Sequence, residues 1–497
     1  MSHRLTAHRA CLLGLLAALV LAAPATAAPL TELASITSGG ENSNGNAQGV
    51  DVSADGRWVV VSADSPNLGT PSTTAESLYL RDRKEHTTRQ LTVGTNGAPI
   101  DDDAHAPQMS ADGRLITFYS KATNLPGAPS PAAFQAYVVD RDTGAIRRLS
   151  TNVTAAGVYD LVNFVTISAD GRFAAYTATD TGPGRSDVFV VDLGTGAIRR
   201  VGEKPAGTAA ADSVSSPALS GDGKWVAYHS AAALVDGDTN SKYDVFIENL
   251  TTGAREQVSL GNGSVQGNDN STAPAVSADA CVVAFSSQAR NLVAGTDSPA
   301  TRVFVRDRCQ GGVEVGSVAN DDAPATSSGV PGLSGNGCQV AFNTFTAFGA
   351  AQSGRAAAVH DRCDHGTVRA DVNTAGDVAN ASTSPLSPRV SGGTGRYVAF
   401  VSTATNLAAP DTSNDLDAFV RDRGTNTPPK ADATVTPAGN NATVDATASR
   451  DPDGYVLNGS IDFGDGSAPA GGLTASHAYA RGGTYVVTVA VTDADGA

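Results

Sequence analysis

An oxygen-rich loop near the middle of the chain is the first candidate for a chemical site. Asp236, Asp238 and Asn240 occupy alternate positions, and Asp244 follows shortly after them. Oxygen ligands at this spacing are typical of the start of a calcium-binding loop, but the glutamate that completes such a loop is missing. An Asx-rich turn between two strands has the same composition, and we favour it over calcium. No other cofactor is predicted. A looser version of the loop contains Asp411, Asp415 and Asp417.

Motifs of the common catalytic sites are absent from the sequence. Residues 332–336 lack the last glycine of a nucleophile elbow, and no metalloprotease, Walker or dinucleotide-binding motif occurs. Carboxylates are numerous, so a pair that cleaves glycosidic bonds is not excluded. The sequence therefore names no catalytic residue.

A repeated hairpin sequence organises most of the chain. Ser-Ala-Asp-Gly-Arg occurs at Ser53–Arg57, and related sequences follow at intervals of 52 to 58 residues. Each interval holds four short alternating strands separated by turn residues, without helical periodicity. This pattern predicts an all-β, seven-bladed β-propeller. The alternative, an array of β-sandwiches, would need units of about 100 residues. The turn glycine or its equivalent is Gly56, Gly113, Gly171, Gly223, Ala280, Gly337 or Gly395.

The N-terminal segment Leu30–Ile36 is predicted to complete the seventh blade. The seventh repeat stops at Asn426 without a fourth strand, whereas Leu30–Ile36 precedes the first repeat and has the pattern of a fourth strand. Pairing of the two ends would close the ring and remove two exposed sheet edges.

Four cysteines lie at equivalent positions of two adjacent repeats. Cys281 and Cys338 each begin a second strand, and Cys309 and Cys363 each follow the end of a third strand. Second and third strands are antiparallel neighbours, so these ends lie side by side. We predict the disulfide bonds Cys281–Cys309 and Cys338–Cys363. A zinc site made of four thiols is the alternative, but Cys-x-x-Cys pairs are missing.

The first 27 residues have the features of a signal peptide. Two arginines precede the apolar run Cys11–Ala23, and Ala25-Thr26-Ala27 has the form of a cleavage site. That run is too short to span a membrane, and no later stretch is apolar enough to do so. We expect cleavage near Ala27 and a secreted monomer. The net charge of −16 makes nucleic acid an unfavourable partner.

These features divide the chain into four segments. We predict a signal peptide at 1–27, a propeller at 28–426, a linker at 427–430 and a second domain at 431–497. Two prolines stiffen the linker, and the repeat does not continue beyond it.

The propeller repeats resemble the TolB-like, WD40-like (PD40) repeats of exported bacterial proteins. The shared pattern is Ser-Ala-Asp-Gly-Arg followed by an apolar strand, then Asn-Leu, then a strand that ends in Arg-Asp-Arg. Ser53–Arg57, Asn67-Leu68 and Phe419–Arg423 are examples. The resemblance covers roughly residues 29–426 and implies a scaffold for contact with proteins or glycans, without implying one activity.

Residues 431–497 resemble a PKD domain. Ile461 stands where that family usually has tryptophan, a departure that concerns core packing. The resemblance implies a small β-sandwich, and because some members bind calcium, it makes Asp451, Asp453 and Asp462 candidate ligands. The matching segments are Asp451–Gly454, Ile461–Gly466, His477–Tyr479 and Gly483–Tyr485.

Taken together, these features favour a binding function over catalysis. We predict a secreted, non-enzymatic binding or scaffold protein. Its propeller would present loops to an extracellular protein or polysaccharide, and the PKD module would serve as a spacer or adhesive. The alternative is a carbohydrate-active enzyme, a hydrolase or lyase, with carboxylates in the propeller channel.

Overall fold

The structure is a computed structural model of the 497-residue chain. It describes residues 3–6, 29–70, 73–128, 133–151, 161–180, 184–203, 213–319, 324–345, 354–363, 365–384, 388–424, 431–449 and 456–493. The predicted linker at 427–430, the candidate ligands Asp451 and Asp453, and most of the predicted signal peptide lie outside these ranges.

Two compact units make up the chain. Residues 29–423 form the first, and residues 424–497 form the second together with residues 1–28. The described ranges contain strands and turns but no helix, which confirms the predicted all-β class. Accordingly, none of the described segments is a helix long and apolar enough to cross a membrane.

The first unit consists of four-stranded antiparallel sheets, which we call blades and number along the chain. Its described residues contain seven such sheets, and blades 1 to 6 have their strands in sequence order. The strands are Ala47–Val52, Trp58–Ala63, Ser77–Asp82 and Thr87–Gln90 in blade 1; Ala104–Met109, Leu115–Ser120, Gln135–Asp140 and Ile146–Arg148 in blade 2; Leu161–Ile167, Phe173–Asp180, Arg185–Asp192 and Ile198–Val201 in blade 3; Val214–Leu219, Trp225–Ser230, Asp244–Asn249 and Arg255–Gln257 in blade 4; Ser271–Val276, Val282–Ser287, Arg302–Asp307 and Val313–Val315 in blade 5; Ser327–Leu333, Gln339–Thr344, Ala356–Asp361 and Gly366–Arg369 in blade 6; and Arg389–Val390, Tyr397–Ser402, Asp417–Asp422 and Leu30–Leu33 in blade 7. A two-stranded ribbon, Leu260–Gly261 with Val265–Gln266, lies between blades 4 and 5 in the sequence.

The first strands surround a central channel. Those of consecutive blades contact each other, and that of blade 7 contacts that of blade 1, so the series is cyclic. The Ser-Ala-Asp-Gly turns after these strands also meet, since the Ala54 amide donates to the Ala111 carbonyl at 2.8 Å. This closed arrangement confirms the predicted propeller. Further amide–carbonyl bonds between turns are Ala111–Ala169, Asp170–Gly221, Gly221–Ala278, Ala278–Gly335 and Asn336–Gly393.

Bulges interrupt the first strands of blades 2 to 6. In blades 2, 4 and 5 they place Ala106, Ser216 and Ala273 at positive φ, and a proline follows each of them. The first strand pairs on one side only, so a proline there costs no ladder hydrogen bond. The channel is therefore walled by broken strand edges.

The core of the propeller lies between and within blades and is centred on aromatic pairs. These buried rings come from second and third strands, where they face each other across the sheet. Aromatic residues make up only 5% of the sequence, so those outside this core stand out. The pairs are Phe118–Tyr137, Tyr176–Phe189, Tyr228–Phe246, Phe285–Phe304 and Phe400–Phe419.

The N-terminal strand Leu30–Leu33 completes blade 7, as predicted. It pairs antiparallel with Asp417–Asp422. Beyond this strand, Ile36 packs in a buried cluster with Leu33, and the Ser35 hydroxyl donates to the Asp417 carboxylate at 2.6 Å. The ring is closed by a non-covalent joint between the two ends of the unit.

The second unit contains two sheets around a small apolar core. One sheet consists of Thr434–Ala438, Asn441–Asp445 and Thr474–Ala478, and the other of Ala470–Gly471, Val456–Asp462, Val486–Asp493 and His3–Thr6. Its buried residues include Val444, Ile461, Phe463 and Val489.

The strand His3–Thr6 differs from the expectation that residues 1–27 lie outside the fold. It pairs antiparallel with Val486–Val489. An open sheet edge presents unpaired amide and carbonyl groups that accept an additional strand, which accounts for the pairing. The signal peptide stays a prediction.

Candidate functional site

A cavity of about 800 Å³ occupies the propeller channel. Its size falls within the range of small-molecule sites, about 300–1,000 Å³. Blades 7, 1 and 2 supply a polar wall, and blades 4 to 6 supply an apolar wall opposite to it. The polar wall consists of Gln48, Asp51, Glu76, His105, Gln108 and Arg389, and the apolar wall of Pro217, Leu219, Pro274, Val276, Pro331 and Leu333.

Asp51 and Arg389 form the first charged group of the polar wall. One oxygen of Asp51 accepts the Met109 amide at 2.8 Å, and the other accepts the Val52 amide at 3.0 Å. Burial raises the pKa of Asp51, although the positive charge of Arg389 opposes this effect. Within the described residues, the Arg389 guanidinium makes no hydrogen bond, so its donors remain available to a ligand in the cavity.

Glu76 and His105 form the second charged group. His105 Nδ1 lies 2.7 Å from the Glu76 carboxylate, and this bond raises the pKa of the imidazole. The His105 ring also contacts Tyr119 and Phe134, with centroids 5.1 and 5.9 Å away. Tyr119 lines the cavity as well, and its hydroxyl has no hydrogen-bond partner in the described part of the chain.

Blade 3 contributes an exposed ring and an unsatisfied acceptor to the channel. Phe164 is 48% exposed and has a φ of 48°. A bulky residue in this conformation is strained by about 1–3 kcal/mol and marks a candidate functional position. Asn163, beside it, has a buried Oδ1 with no partner among the described groups. Both side chains line the cavity.

The most exposed aromatic side chains of the propeller lie in its channel or at one of its two ends. We call the end where first and third strands begin the loop face, and the opposite end the turn face. Three aromatic side chains are more than a third exposed in the described residues, and they lie in the channel or at the loop face: Phe164, Tyr243 and Phe345. A guanidinium lies over a ring at either end: Arg141 over Trp58 at the turn face and Arg355 over Phe345 at the loop face, with 4.1 and 4.9 Å from the guanidinium carbon to the ring centre. Exposed aromatic surface is typical of a contact site, which favours the loop face.

Ion pairs and disulfides fasten the turn face. In blade 1, Arg57 donates to both oxygens of Asp82, at 3.0 and 2.8 Å. Cys281 occupies the position of Arg57 in blade 5, and its bond to Cys309 joins the same two strands with Cα atoms 5.2 Å apart. Blade 6 has the equivalent bond Cys338–Cys363. These cysteines are structural, and the turns that contain them hold the blades together.

Removal of one disulfide should destabilise the propeller measurably. We expect the double variant Cys281→Ser, Cys309→Ser to lose about 3 kcal/mol of unfolding free energy, because the closed loop spans 28 residues. The double variant Cys281→Arg, Cys309→Lys introduces the residues that blade 1 has at these positions, Arg57 and Lys84. The new arginine should pair with Asp307 and restore up to about 1 kcal/mol of the lost unfolding free energy. Denaturant unfolding measures both values, and an unchanged midpoint in the serine variant would contradict the prediction.

The four residues of the predicted calcium loop differ in burial. Burial and the charge of Asp244 raise the pKa of Asp238, so these two carboxyl groups are near each other. Asp244 is buried, whereas Asp236 is exposed. The side-chain oxygen Oδ1 of Asn240 accepts a hydrogen bond from the backbone amide of Lys242 at 2.8 Å, as in an Asx turn.

No group of three or more His, Cys, Asp or Glu side chains in the described ranges is placed to hold a metal ion. Calcium therefore stays a prediction for this loop. Thermal unfolding with and without a chelator checks it, and identical midpoints would remove calcium from the account.

Asp411 and Asp417 form a buried pair in blade 7, next to the closing strand. The side-chain amide of Asn42 donates a hydrogen bond to the Asp411 carboxylate at 3.3 Å and another to the Asp417 carboxylate at 3.1 Å. Burial and the charge of Asp417 raise the pKa of Asp411 to about 6. Asp415, the third residue of the looser calcium motif, is exposed.

The variant Asp411→Asn should stabilise the propeller at neutral pH. Because its pKa is raised, the Asp411 carboxyl is better accommodated in the folded state when it is protonated. The stability that this carboxyl contributes is therefore fully present below about pH 4 and is lost as the pH rises through about 6. Asparagine mimics the protonated group, so we expect a gain of about 1–3 kcal/mol at pH 7 and little change at pH 4. Denaturant unfolding at both pH values tests this, with the exposed Asp415→Asn as control. A loss at pH 7 would contradict it.

The C-terminal unit can be compared with known families. Residues 426–497 match the family model of the PKD domain. This segment is a PKD domain. The match confirms the resemblance seen in the sequence, and a PKD domain together with two disulfide bonds fits an extracellular protein.

No curated protein matches the chain. Among solved structures, the chain is 15% identical to TolB from Acinetobacter baumannii and spans 59% of each chain, with a TM-score of 0.37. The β-propeller domain of the Trilobed protease from Pyrococcus furiosus is 12% identical over 76% of this chain and 95% of its own, with a TM-score of 0.47. Oligogalacturonate lyase from Vibrio parahaemolyticus is 10% identical over 80% and 97%, with a TM-score of 0.47.

The channel residues were not predicted from the sequence. A usable signal exists in the first strands, where small residues precede proline at Ala106, Ser216 and Ala273. Alignment of the repeats on these prolines would place Phe164 at the same position and reveal it as the bulky exception.

Proposed function

We propose that the chain is a secreted binding protein whose propeller holds its ligand in the central channel and presents the loop face to an extracellular protein or polysaccharide. The PKD domain serves as a spacer or adhesive. The observation that carries this proposal is a cavity of ligand size lined by several residues whose polar groups have no partner within the described residues.

Polar groups without a protein partner support binding because their donors and acceptors are available to a ligand. The Arg389 guanidinium, the Tyr119 hydroxyl and the buried Asn163 oxygen all border the cavity. A ligand with hydrogen-bonding groups would satisfy all three. The exposed rings of Tyr243 and Phe345 extend the contact surface over the loop face.

A pair of alanine-to-tryptophan variants tests the proposal. The mature protein, residues 28–497, would be titrated calorimetrically with soluble polysaccharide fragments and with extracellular protein fractions. Ala275 lines the channel and Ala254 is exposed on the turn face. We expect Ala275→Trp to weaken binding at least tenfold and Ala254→Trp to leave it unchanged. Equal affinity in both variants would overturn the proposal.

A carbohydrate-active enzyme is the second candidate, because Asp51 and Glu76 border the same cavity. Two carboxyl groups are the usual equipment of glycosidases. In this structure, however, both oxygens of Asp51 accept backbone amides, and Glu76 is bonded to His105. These bonds support a structural role and favour binding. Reducing-sugar release that disappears in Glu76→Gln would reverse the preference.

A further inference from the structure

We propose that the channel binds a neutral saccharide, one of whose sugar rings stacks on Phe164 while its hydroxyl groups bond to the polar wall. This inference rests on the proposed binding function and specifies the class of ligand. Three features of the channel support it: its charges balance, its strand edges are interrupted, and Phe164 occupies a bulge position at which blades 2, 4 and 5 have small residues.

The charged groups of the channel balance one another. Asp51 faces the positive charge of Arg389, and Glu76 is bonded to His105. Neither an anion nor a cation would find an excess of opposite charge there, and the net charge of −16 further disfavours polyanions. The amides of Gln48, Gln108 and Asn163 donate and accept, which suits a hydroxyl-rich neutral ligand.

The channel wall disfavours an extended peptide. Peptides commonly bind by adding a strand to an open sheet edge. Here the inner edges are interrupted by bulges, and Pro107, Pro217 and Pro274 each lack an amide donor. A continuous ladder cannot form along such edges. A saccharide needs no ladder, since it is recognised through separate side-chain contacts.

Phe164 provides a platform for a sugar ring. A pyranose has an apolar C–H face and a polar rim, so it stacks on an aromatic face while its hydroxyls reach polar groups. The equivalent bulge residues are small, as Ala106, Ser216 and Ala273 show. Only blade 3, among the described bulges of blades 2 to 6, places an aromatic ring there, with the free oxygen of Asn163 beside it.

The variant Phe164→Ala tests the inference with little risk to folding, because alanine already occupies the equivalent bulge position in blades 2 and 5. The mature protein would be titrated with cellohexaose, maltohexaose, chitohexaose and mannohexaose, with oligogalacturonate as the anionic arm and a random decapeptide pool as the peptide arm. We expect saturable binding of a neutral hexasaccharide, at least tenfold weaker in Phe164→Ala and in Asn163→Ala. Phe164→Tyr should retain it, and the melting temperature of Phe164→Ala should match that of the parent.

Each failure has a distinct signature. The saccharide inference would be overturned if none of the neutral hexasaccharides bound, or if Phe164→Ala left the affinity unchanged. If an anionic or peptide ligand instead bound and were blocked by Ala275→Trp, the saccharide would be excluded while the binding function stood. If bound ligands were unaffected by Ala275→Trp, the binding function itself would fail.

Discussion

Deletion of residues 29–36 should lower the unfolding free energy of the propeller by about 4–6 kcal/mol. The deletion removes the outer strand of blade 7, including the buried side chains of Leu33 and Ile36, each worth about 2 kcal/mol. It also removes the Ser35 hydroxyl that bonds to the buried carboxylate of Asp417. A loss of this size is comparable to the whole stability of many domains.

Denaturant unfolding of residues 28–497 with and without this segment measures the effect. A synthetic peptide of residues 29–37, added in trans, should restore much of the lost stability by pairing with Asp417–Asp422. Glu32→Gln is the control, because it removes only the ion pair with Arg83 and should cost less than about 1 kcal/mol. A truncated protein as stable as the parent would show that the closure contributes little.

Gly56→Ala should cost about 2–4 kcal/mol, considerably more than the same change at Gly171. Both glycines have a φ of 69°, so alanine is strained by about 1 kcal/mol at either site. At Gly56 the new methyl group would also overlap the ring of Tyr397 from the preceding blade. At Gly171 the nearest atom would lie 3.4 Å away, an ordinary contact. Overpacking adds about 1–3 kcal/mol at the first site only.

The same denaturant experiment compares the two glycine variants. Tyr397 is held between Arg83 and Arg396, whose guanidinium carbons lie 5.3 and 5.0 Å from the ring centre, so it cannot easily move aside. Equal losses for Gly56→Ala and Gly171→Ala would mean that only the backbone conformation matters at this turn.

The repeated turn is therefore an inter-blade contact as well as a hairpin. Glycine is typical of turn positions with a positive φ, and the structure has φ values of 59° to 75° at all seven equivalent positions. The contact of Gly56 with Tyr397 and the bond from Ala54 to Ala111 join different repeats. A repeat read alone cannot reveal these contacts, because the partner lies one blade away.

Local patterns in the sequence predicted the strands, the ring closure and the cysteine pairing well. Alternation specified each strand, and the missing fourth strand after residue 426 pointed to Leu30–Ile36. The PKD motifs likewise identified the C-terminal domain. Each of these inferences depends on spacing along the chain, which the sequence shows directly.

The channel was harder to predict because its residues converge from different blades. Asp51 and Arg389 hold the same position of the repeat in blades 1 and 7, whereas Glu76 and His105 hold two other positions, and only the closed ring brings all four to one cavity. Phe164 looked like an ordinary strand residue until the bulge placed it at positive φ. The predicted calcium loop is the opposite case. Its acidic composition is conspicuous in the sequence, but in the structure Asn240 forms an Asx turn.

Hydrogen–deuterium exchange of residues 28–497, with and without a saturating ligand, locates the surface that the ligand covers. If the ligand binds in the channel, exchange should slow in the first strands Ala104–Met109 and Leu161–Ile167, which border the channel, and stay unchanged in turn-face hairpins such as Ser53–Arg57. Protection confined to residues 431–497 would assign binding to the PKD domain. That result would contradict the channel as the binding site.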